Sequence, residues 1–239
     1  MIRFYCPGLP ENLTLPESDS GHAVRVLRLK EGDALEVVDG RGNLYHCVLA
    51  DANPRRASVE IVSVETLEKT WRGSITLAIA PTKNNDRMEW LVEKLVEIGI
   101  DAIVPLRCQR SERKEINVER LERIAVSAMK QSLKARLPLI AATTPYSRFI
   151  GDCNATQRFI AYCDDSFERR LLAHECRPDS DTAILIGPEG DFSPEEIRMA
   201  LDAGWRPVSL GDSRLRTETA ALVAVDTCHI INQLHEKQL

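Results

Sequence analysis

The sequence has no long hydrophobic run, few aromatic side chains and no recognisable metal-binding pattern. No segment of its 239 residues approaches the roughly 18 apolar residues of a membrane span. The first residues lack the apolar stretch of a signal peptide. Its seven cysteines are scattered without a Cys-x-x-Cys pair, and its five histidines do not cluster at metal-ligand spacing. We therefore expect a cytoplasmic protein with reduced thiols, no membrane association and no metal.

The common phosphate-binding patterns are also missing. Neither the Gly-x-x-x-x-Gly-Lys-Ser/Thr loop nor the Gly-x-Gly-x-x-Gly turn occurs, which disfavours the usual nucleotide-binding enzymes. The net charge of −5 excludes a surface that is basic throughout. Residues 107–136 nevertheless hold nine Lys or Arg residues and four acids. Two interpretations stay open for this stretch: a solvated helix face laced with ion pairs, or a patch that contacts phosphates.

Two different patterns meet near residue 70. Residues 34–65 contain short strand-like segments joined by Gly and Asn, which predicts a small β-barrel or sandwich. From residue 71 onward, apolar strands without alternation are separated by helical patterns, which is typical of a mostly parallel sheet covered by helices. We therefore expect a small β-domain over residues 1–70 and an α/β domain over residues 71–239.

Two helices of the second region have predicted ends. Residues 86–98 carry apolar side chains at helical spacing, and Gly99 follows where a helix stop is expected. Residues 118–132 carry a second apolar stripe, and Asn117 precedes them as the expected N-cap.

The segment AILIGPEGDFSPEEI, residues 183–197, leads from a buried strand through a glycine-rich turn into a helix. Ser193 and Glu196 have the spacing of a capping box, and a proline stands at the first helical position between them. Phe192 and Ile197 occupy the two positions of a hydrophobic staple. One interpretation is therefore that the whole motif serves only to begin a helix.

The turn before that helix, residues 187–190, favours a second interpretation. It follows a strand, at the edge where open α/β sheets bind ligands. A phosphate is disfavoured there, because Glu189, Asp191 and further acids already surround the helix start. A nucleoside that carries a cationic group suits such a loop, and S-adenosyl-L-methionine is the candidate.

A second segment, LGDSRLRTETAALVAV at residues 210–225, repeats the order of strand end, glycine, loop and helix. Two consecutive strand ends would place the two loops side by side, with backbone groups available to an adenine edge. Thr217 is alternatively a simple helix cap, and Glu218 a charge at a helix terminus. The expected cofactor contacts in the two segments are Leu185, Gly187, Glu189, Gly190, Leu210, Gly211, Leu215, Arg216, Thr217, Thr219 and Ala220.

Together, LIGPEGDFSPEEI and LGDSRLRTETA resemble the two cofactor motifs of the RsmE family. These are SPOUT-class methyltransferases that act on N3 of a uridine in small-subunit (16S) ribosomal RNA. Segments beginning at Arg3, His22, Pro81 and Ser127 match the family in order, so the resemblance covers the whole chain. Three departures occur: Asp191 stands where the family often has glycine, Lys130 where Glu is usual, and Lys134 where Arg is usual.

The resemblance implies a fold and a reaction. It implies a C-terminal SPOUT α/β domain with a trefoil knot and a mostly parallel sheet, a small N-terminal PUA-like β-barrel for RNA, and a homodimer. The cofactor would be S-adenosyl-L-methionine and the substrate the assembled small ribosomal subunit, with Arg216 and Glu218 near the chemistry. The implied RNA contacts are Arg3, His22, Arg25, Arg28, Lys83, Arg110, Gln131, Lys134 and Arg136.

Two rival functions stay open at this point. The first is a SPOUT methyltransferase that acts on another RNA or another base. The second is a ribosome-assembly factor that binds RNA and retains the fold without catalysis.

Overall fold

The chain forms two compact units in the computed structural model, which describes residues 2–163 and 168–236. One unit contains Met1–Lys69 together with Ala125–Leu137, and the other contains Thr70–Ile124 and Pro138–Leu239. The segment Ala125–Leu137 therefore packs with the first unit, whereas a single cut near residue 70 would assign it to the second. Within the described ranges, no helix combines the length and apolar character needed to cross a membrane.

The first unit is built on a four-stranded sheet in the order β1-β2-β3-β4. β1 pairs in parallel with β2, and the other pairs are antiparallel. A short helix, α1 (Glu17–Gly21), continues into a π-helical turn over His22–Val26. The strands are β1 (Arg3–Tyr5), β2 (Ala34–Val38), β3 (Asn43–Asp51) and β4 (Ser58–Thr66).

Backbone hydrogen bonds attach the segment Ala125–Leu137 to the β2–β3 turn. The Gly42 amide donates to the Ala135 carbonyl and the Leu137 amide to the Gly40 carbonyl, both at 2.9 Å. The turn can approach the segment Ala125–Leu137 this closely because Gly40 and Gly42 both have positive φ angles, a conformation that residues with a side chain rarely adopt.

The second unit contains a parallel sheet in the order β10-β12-β9-β11-β5-β6-β7, with β8 paired in parallel to β6. Every pair along this order is parallel, which confirms the predicted sheet. Its strands are β5 (Ile75–Ile79), β6 (Ala102–Arg107), β7 (Leu139–Ile140), β8 (Thr144–Pro145), β9 (Gln157–Ala161), β10 (Arg170–Leu171), β11 (Thr182–Ile186) and β12 (Arg206–Ser209).

Helices cover this sheet. α4 and α6 contribute to one buried cluster with alternate residues of β5, β9 and β11, such as Ala78, Ile160 and Leu185. α7 contacts β5 and β11 and packs against α2 and α5. The helices are α2 (Asn85–Ile98), α3 (Val118–Gln131), α4 (Tyr146–Asp152), α5 (Leu172–Glu175), α6 (Pro194–Asp202) and α7 (Thr217–Glu236).

The two predicted helix ends are confirmed. The Asn117 side-chain oxygen accepts a hydrogen bond from the Arg120 amide at 2.9 Å, as an N-cap does. Gly99 ends α2 with a φ of +118°. Its carbonyl lies 2.8 Å from Nε2 of His229 on α7, and the His229 ring meets the Trp71 ring edge-on.

We predict that Gly99→Ala lowers the free energy of unfolding by about 2 kcal/mol or more, measured by denaturant titration. A Cβ atom at this position would lie 2.5 Å from the Trp71 ring, and alanine disfavours the required positive φ. Gly151→Ala in α4 is the matched control, because a Cβ there meets no atom within 4 Å. Equal unfolding midpoints for the two variants would contradict this account.

Candidate functional site

Three neighbouring strands of the parallel sheet end around one cavity of about 920 Å³. They are β12, β9 and β11, which lie side by side in the sheet. The cavity is thus at the carboxyl ends of the strands, where open α/β sheets bind ligands. Its walls come from residues 161–163 after β9, residues 186–191 after β11, residues 208–215 after β12, and Arg169, Thr217 and Ala220.

The helix start after β11 has the predicted capping box. The Ser193 hydroxyl accepts from the Glu196 amide at 3.2 Å, and the Glu196 carboxylate accepts from the Ser193 amide at 2.9 Å. Phe192 and Ile197 are both buried in the same cluster, as the staple requires. The second Glu196 oxygen accepts from the Gln109 amide at 2.7 Å. The Glu196 oxygen that takes no part in the capping box is therefore bonded to the segment after β6.

The turn before α6 is fixed to its neighbours by its own acids. Glu189 accepts from the Lys83 amide at 2.9 Å. Asp191 accepts from the Cys163 amide with one oxygen and from the Phe192 amide with the other, both at 2.9 Å. The two acids of the predicted cofactor loop therefore attach it to the segments that follow β5 and β9.

The backbone conformation and hydrogen bonds of Asp191 explain how aspartate is accommodated where the family often has glycine. Its φ is +62°, in the left-handed region where glycine is favoured and another residue costs about 1–2 kcal/mol. The two hydrogen bonds that its carboxylate accepts offset this cost. Aspartate at this position thus fixes the loop through its side chain, whereas glycine would leave the backbone freer to move.

The second predicted loop forms the opposite wall of the cavity. Gly211 has a φ of +109°, and the space where a Cβ would project is open. Of the eleven predicted cofactor contacts, eight line the cavity: Gly187, Glu189, Gly190, Leu210, Gly211, Leu215, Thr217 and Ala220. The other three lie elsewhere: Leu185 is buried in the sheet core, Arg216 is exposed outside the lining, and Thr219 is half-buried on α7.

Sequence reasoning missed the wall that follows β9. Tyr162, Cys163 and Arg169 line the cavity, although the sequence near them has no glycine-rich turn. The arginine donates to the Tyr162 carbonyl and lies over the Tyr162 ring, with 5.6 Å between the guanidinium carbon and the ring centroid. Only the strand order, with β9 between β11 and β12, brings these residues to the site.

The two proposed catalytic residues do not line the cavity. Glu218 is buried and directed at α2, where its Oε1 lies 3.6 Å from Nε of Arg87. Its Oε2 is buried without a hydrogen-bond partner among the described residues. Arg216, at the start of α7, is exposed. Glu218 therefore lies near Arg87 of α2, and the predicted roles of Arg216 and Glu218 near the chemistry stay predictions.

Burial keeps two side chains near Glu196 protonated. Burial raises the pKa of Tyr146, and the Glu196 carboxylate adds to this effect. The phenol therefore donates to the Glu196 carbonyl, at 2.8 Å. Burial also raises the pKa of Cys108, again with a contribution from Glu196. Both raised pKa values favour the protonated phenol and the protonated thiol.

Several of the predicted RNA contacts bond to other groups of the same chain, although Lys83, Arg110 and Arg136 are also exposed. Arg3 forms a 3.0 Å ion pair with Glu36 and donates to the Leu133 carbonyl, and Arg136 donates to the Arg41 carbonyl at 2.8 Å. In the second unit, Lys83 pairs with Glu112 at 2.9 Å, and Arg110 donates to two carbonyls of the cofactor loop. Of the others, Arg25, Arg28 and Gln131 are exposed, and His22 and Lys134 are half-buried.

No group of three or more histidine, cysteine or acidic residues within residues 2–163 and 168–236 is arranged to hold a metal ion.

Comparison with known proteins gives concordant matches. A family model described as "RNA methyltransferase domain" matches residues 69–229, and one described as "RNA methyltransferase PUA domain" matches residues 15–62. The ribosomal RNA small subunit methyltransferase E of Aquifex aeolicus is 30% identical over 219 residues, which are 89% of this chain and 92% of that protein.

Solved structures agree over almost the whole chain. A probable rRNA-methyltransferase from Porphyromonas gingivalis is 47% identical with a TM-score of 0.94, and the match covers 98% of this chain and 100% of that one. Ribosomal RNA small subunit methyltransferase E from Neisseria gonorrhoeae, bound to S-adenosyl methionine, is 26% identical with a TM-score of 0.81 and coverage of 97% and 98%. The chain therefore belongs to the small-subunit ribosomal RNA methyltransferase E family, with an N-terminal PUA domain and a SPOUT-class α/β domain.

Proposed function

We propose that this protein transfers a methyl group from S-adenosyl-L-methionine to N3 of a uridine in 16S ribosomal RNA, on the assembled small subunit. The observation that carries the proposal is the cavity formed by two glycine-containing loops within the segment that matches the RNA methyltransferase domain. Relatives whose names state rRNA small-subunit methylation, one of them solved with S-adenosyl methionine, support the same reaction. We propose that the reaction takes place in the cytoplasm, because the proposed substrate is a ribosomal subunit.

The cavity suits this cofactor in size and chemistry. Its volume of about 920 Å³ is in the range of small-molecule sites. Leu210 and Leu215 offer apolar surface to a base, and the open side of Gly211 lets a ligand approach the backbone closely. Glu189 and Asp212 add negative charge at the wall, which suits a ligand with ammonium and sulfonium groups. When bound, S-adenosyl-L-methionine supplies an electrophilic methyl group on its sulfonium.

The chain's own residues have two tasks in this reaction. They hold the uracil ring in line with the methyl donor, which makes the transfer effectively intramolecular. They also favour loss of the N3 proton, and a cation beside the ring does this by stabilising the anion that forms. Exposed Arg216, next to cavity residues Leu215 and Thr217, is our candidate for that cation. Glu218, held near Arg87, positions the first turn of α7.

We further propose that residues 1–70 form a PUA-like domain that binds RNA and that residues 71–239 form the methyltransferase domain. The proposed RNA contacts in the first unit are His22, Arg25, Arg28, Gln131 and Lys134, of which Arg25, Arg28 and Gln131 are exposed. Phosphate contacts from arginine give affinity that falls with salt, because bound counterions are released.

The proposed function predicts that small ribosomal subunits from cells lacking this protein gain one N3-methylated uridine when incubated with the protein and S-adenosyl-L-methionine. Nucleoside mass spectrometry of the digested 16S RNA measures the product. Transfer RNA from the same cells is the control substrate and should gain none. Methylation of transfer RNA instead would favour another RNA target, and absence of both product and cofactor binding would favour an assembly factor.

The matched variants for this experiment are Ala220→Leu and Ala142→Leu. Ala220 lines the cavity on a helix, so leucine there occupies cofactor space without backbone strain, whereas Ala142 is exposed outside the lining. We expect Ala220→Leu to weaken cofactor binding by about tenfold or more in calorimetry, with a melting temperature near that of the parent protein. Equal cofactor affinity for both variants would mean that the cavity is not the cofactor site.

The proposed RNA contacts predict that Arg25→Gln combined with Arg28→Gln lowers the slope of log affinity against log salt by about one per lost contact. Glutamine is used because Arg28 has a φ of +59°, and glutamine adds no strain beyond that of arginine there. The control pair is Arg148→Gln with Arg198→Gln, two exposed arginines of the second unit. An unchanged salt slope in the first pair would place the RNA elsewhere.

We also propose that the protein is a homodimer that associates through α2 and α7. These helices pack together, and they leave Trp90, Ile230 and Leu234 exposed by 42%, 47% and 55%. Native mass spectrometry of the parent protein should give twice the 26.8 kDa of one chain. The double variant Ile230→Glu with Leu234→Glu should give the mass of a single chain. A parent protein that is monomeric at micromolar concentration would exclude this arrangement.

A further inference from the structure

The segment that joins β6 to α3 holds the cofactor loop through one arginine. Nη1 of Arg110 lies 3.0 Å from the Gly190 carbonyl oxygen and 3.3 Å from the Phe192 carbonyl oxygen. The stem of the same side chain runs along the loop, because a Cβ built on Gly190 would lie 3.7 Å from the Arg110 Cβ. The guanidinium therefore bonds to two carbonyls that flank Asp191, the residue with the left-handed backbone.

Neighbouring contacts fix Arg110 in this position. One residue before it, the Gln109 amide donates to Glu196 in the capping box at 2.7 Å. Three residues after it, Arg113 donates to the Lys83 carbonyl at 2.7 Å, and the Lys83 amide in turn donates to Glu189 at 2.9 Å. On one side of Arg110 the segment is thus bonded to the start of α6, and on the other side it is bonded to Lys83, which itself bonds to the loop.

Charge gives the arginine a second role in the same place. Four carboxylates, those of Glu189, Asp191, Glu195 and Glu196, lie within eight consecutive residues of the loop and the helix start. The pKa of Glu195 is lowered by its own backbone amide and the Ser193 hydroxyl, with smaller contributions from Arg198 and Arg110. A cation bonded to the carbonyls of this loop reduces the repulsion among its acids.

We infer that Arg110 is a positioning residue for the cofactor loop: its guanidinium holds the Gly190 and Phe192 carbonyls and so keeps the loop in the shape that lines the cavity. The arginine is then not an RNA contact, although sequence resemblance had implied one. This inference rests on the proposed cofactor site, so its test includes a measurement that needs no cofactor.

Three variants of the full-length chain test the inference: Arg110→Ala, Arg110→Lys and Arg107→Ala. Arg107 is the control, because it is an exposed arginine at the end of β6, three residues before Arg110, and pairs with Glu115 at 3.6 Å. Lysine at position 110 keeps a cation that can donate to a carbonyl but loses the planar guanidinium, so it should restore only part of what alanine removes. Thermal melts of all three verify that the variants are folded.

The first measurement is hydrogen exchange of the peptide that covers residues 186–193, without cofactor. The Asp191, Phe192 and Ser193 amides are all hydrogen-bonded within the loop and helix start, so their exchange reports on the shape of the loop. We expect faster exchange in Arg110→Ala, a smaller change in Arg110→Lys and parent-like exchange in Arg107→Ala. Parent-like exchange in Arg110→Ala would overturn the inference, whether or not the protein binds the cofactor.

The second measurement compares affinity for S-adenosyl-L-methionine with affinity for 16S RNA. We expect Arg110→Ala to weaken cofactor binding by about tenfold, as loss of a charged hydrogen-bond donor does, and to leave the salt slope of RNA binding unchanged. A salt slope lower by about one, with cofactor affinity unchanged, would make Arg110 a phosphate contact and overturn the inference. A parent protein that binds no cofactor would refute the proposed function, while the exchange data would still decide whether Arg110 orders the loop.

Discussion

The buried carboxylate of Glu196 is the interaction on which the candidate site depends. One oxygen closes the capping box of α6, and the other accepts from the Gln109 amide after β6. A buried carboxylate is costly unless its oxygens are bonded, so both contacts must be present together. Because the helix start and the neighbouring segment share one charged group, the loop before α6 cannot move without disturbing both. The loop before α6 is therefore attached to the rest of the fold through the helix start and through the segment after β6.

The same principle accounts for the unusual acidity of the loop. Glu189 and Asp191 accept from the Lys83 and Cys163 amides, which lie in the segments that follow β5 and β9. These two carboxylates join the loop to neighbouring segments, and both line the cavity. The lining of the cavity combines the carboxylates of Glu189, Asp191 and Asp212 with the guanidinium groups of Arg169 and Arg214.

The sequence predicted what depends on short-range pattern. The capping box at Ser193, the stop at Gly99 and the cap at Asn117 are set by residues within one or two turns of the helix, so spacing alone reveals them. Resemblance supplied the family, and eight of the eleven predicted cofactor contacts line the cavity. The wall after β9 and the packing of Ala125–Leu137 with the first unit were missed, because both depend on strand order and contacts between distant segments.

The basic stretch at residues 107–136 shows that a count of charges does not reveal what each cation contacts. Its two open interpretations were a helix face with local ion pairs and a phosphate patch. Most of its cations instead bond to groups elsewhere in the chain or segment: Arg107 to Glu115, Arg110 to Gly190 and Phe192, Arg113 to Lys83, Arg120 to Glu89, Lys130 to Asp19, and Arg136 to Arg41. A cation that already bonds to a carbonyl or carboxylate has fewer N–H donors left for a phosphate. In a chain of net charge −5, we propose that Arg25 and Arg28, exposed residues of the unit that matches the PUA domain, contribute to RNA affinity.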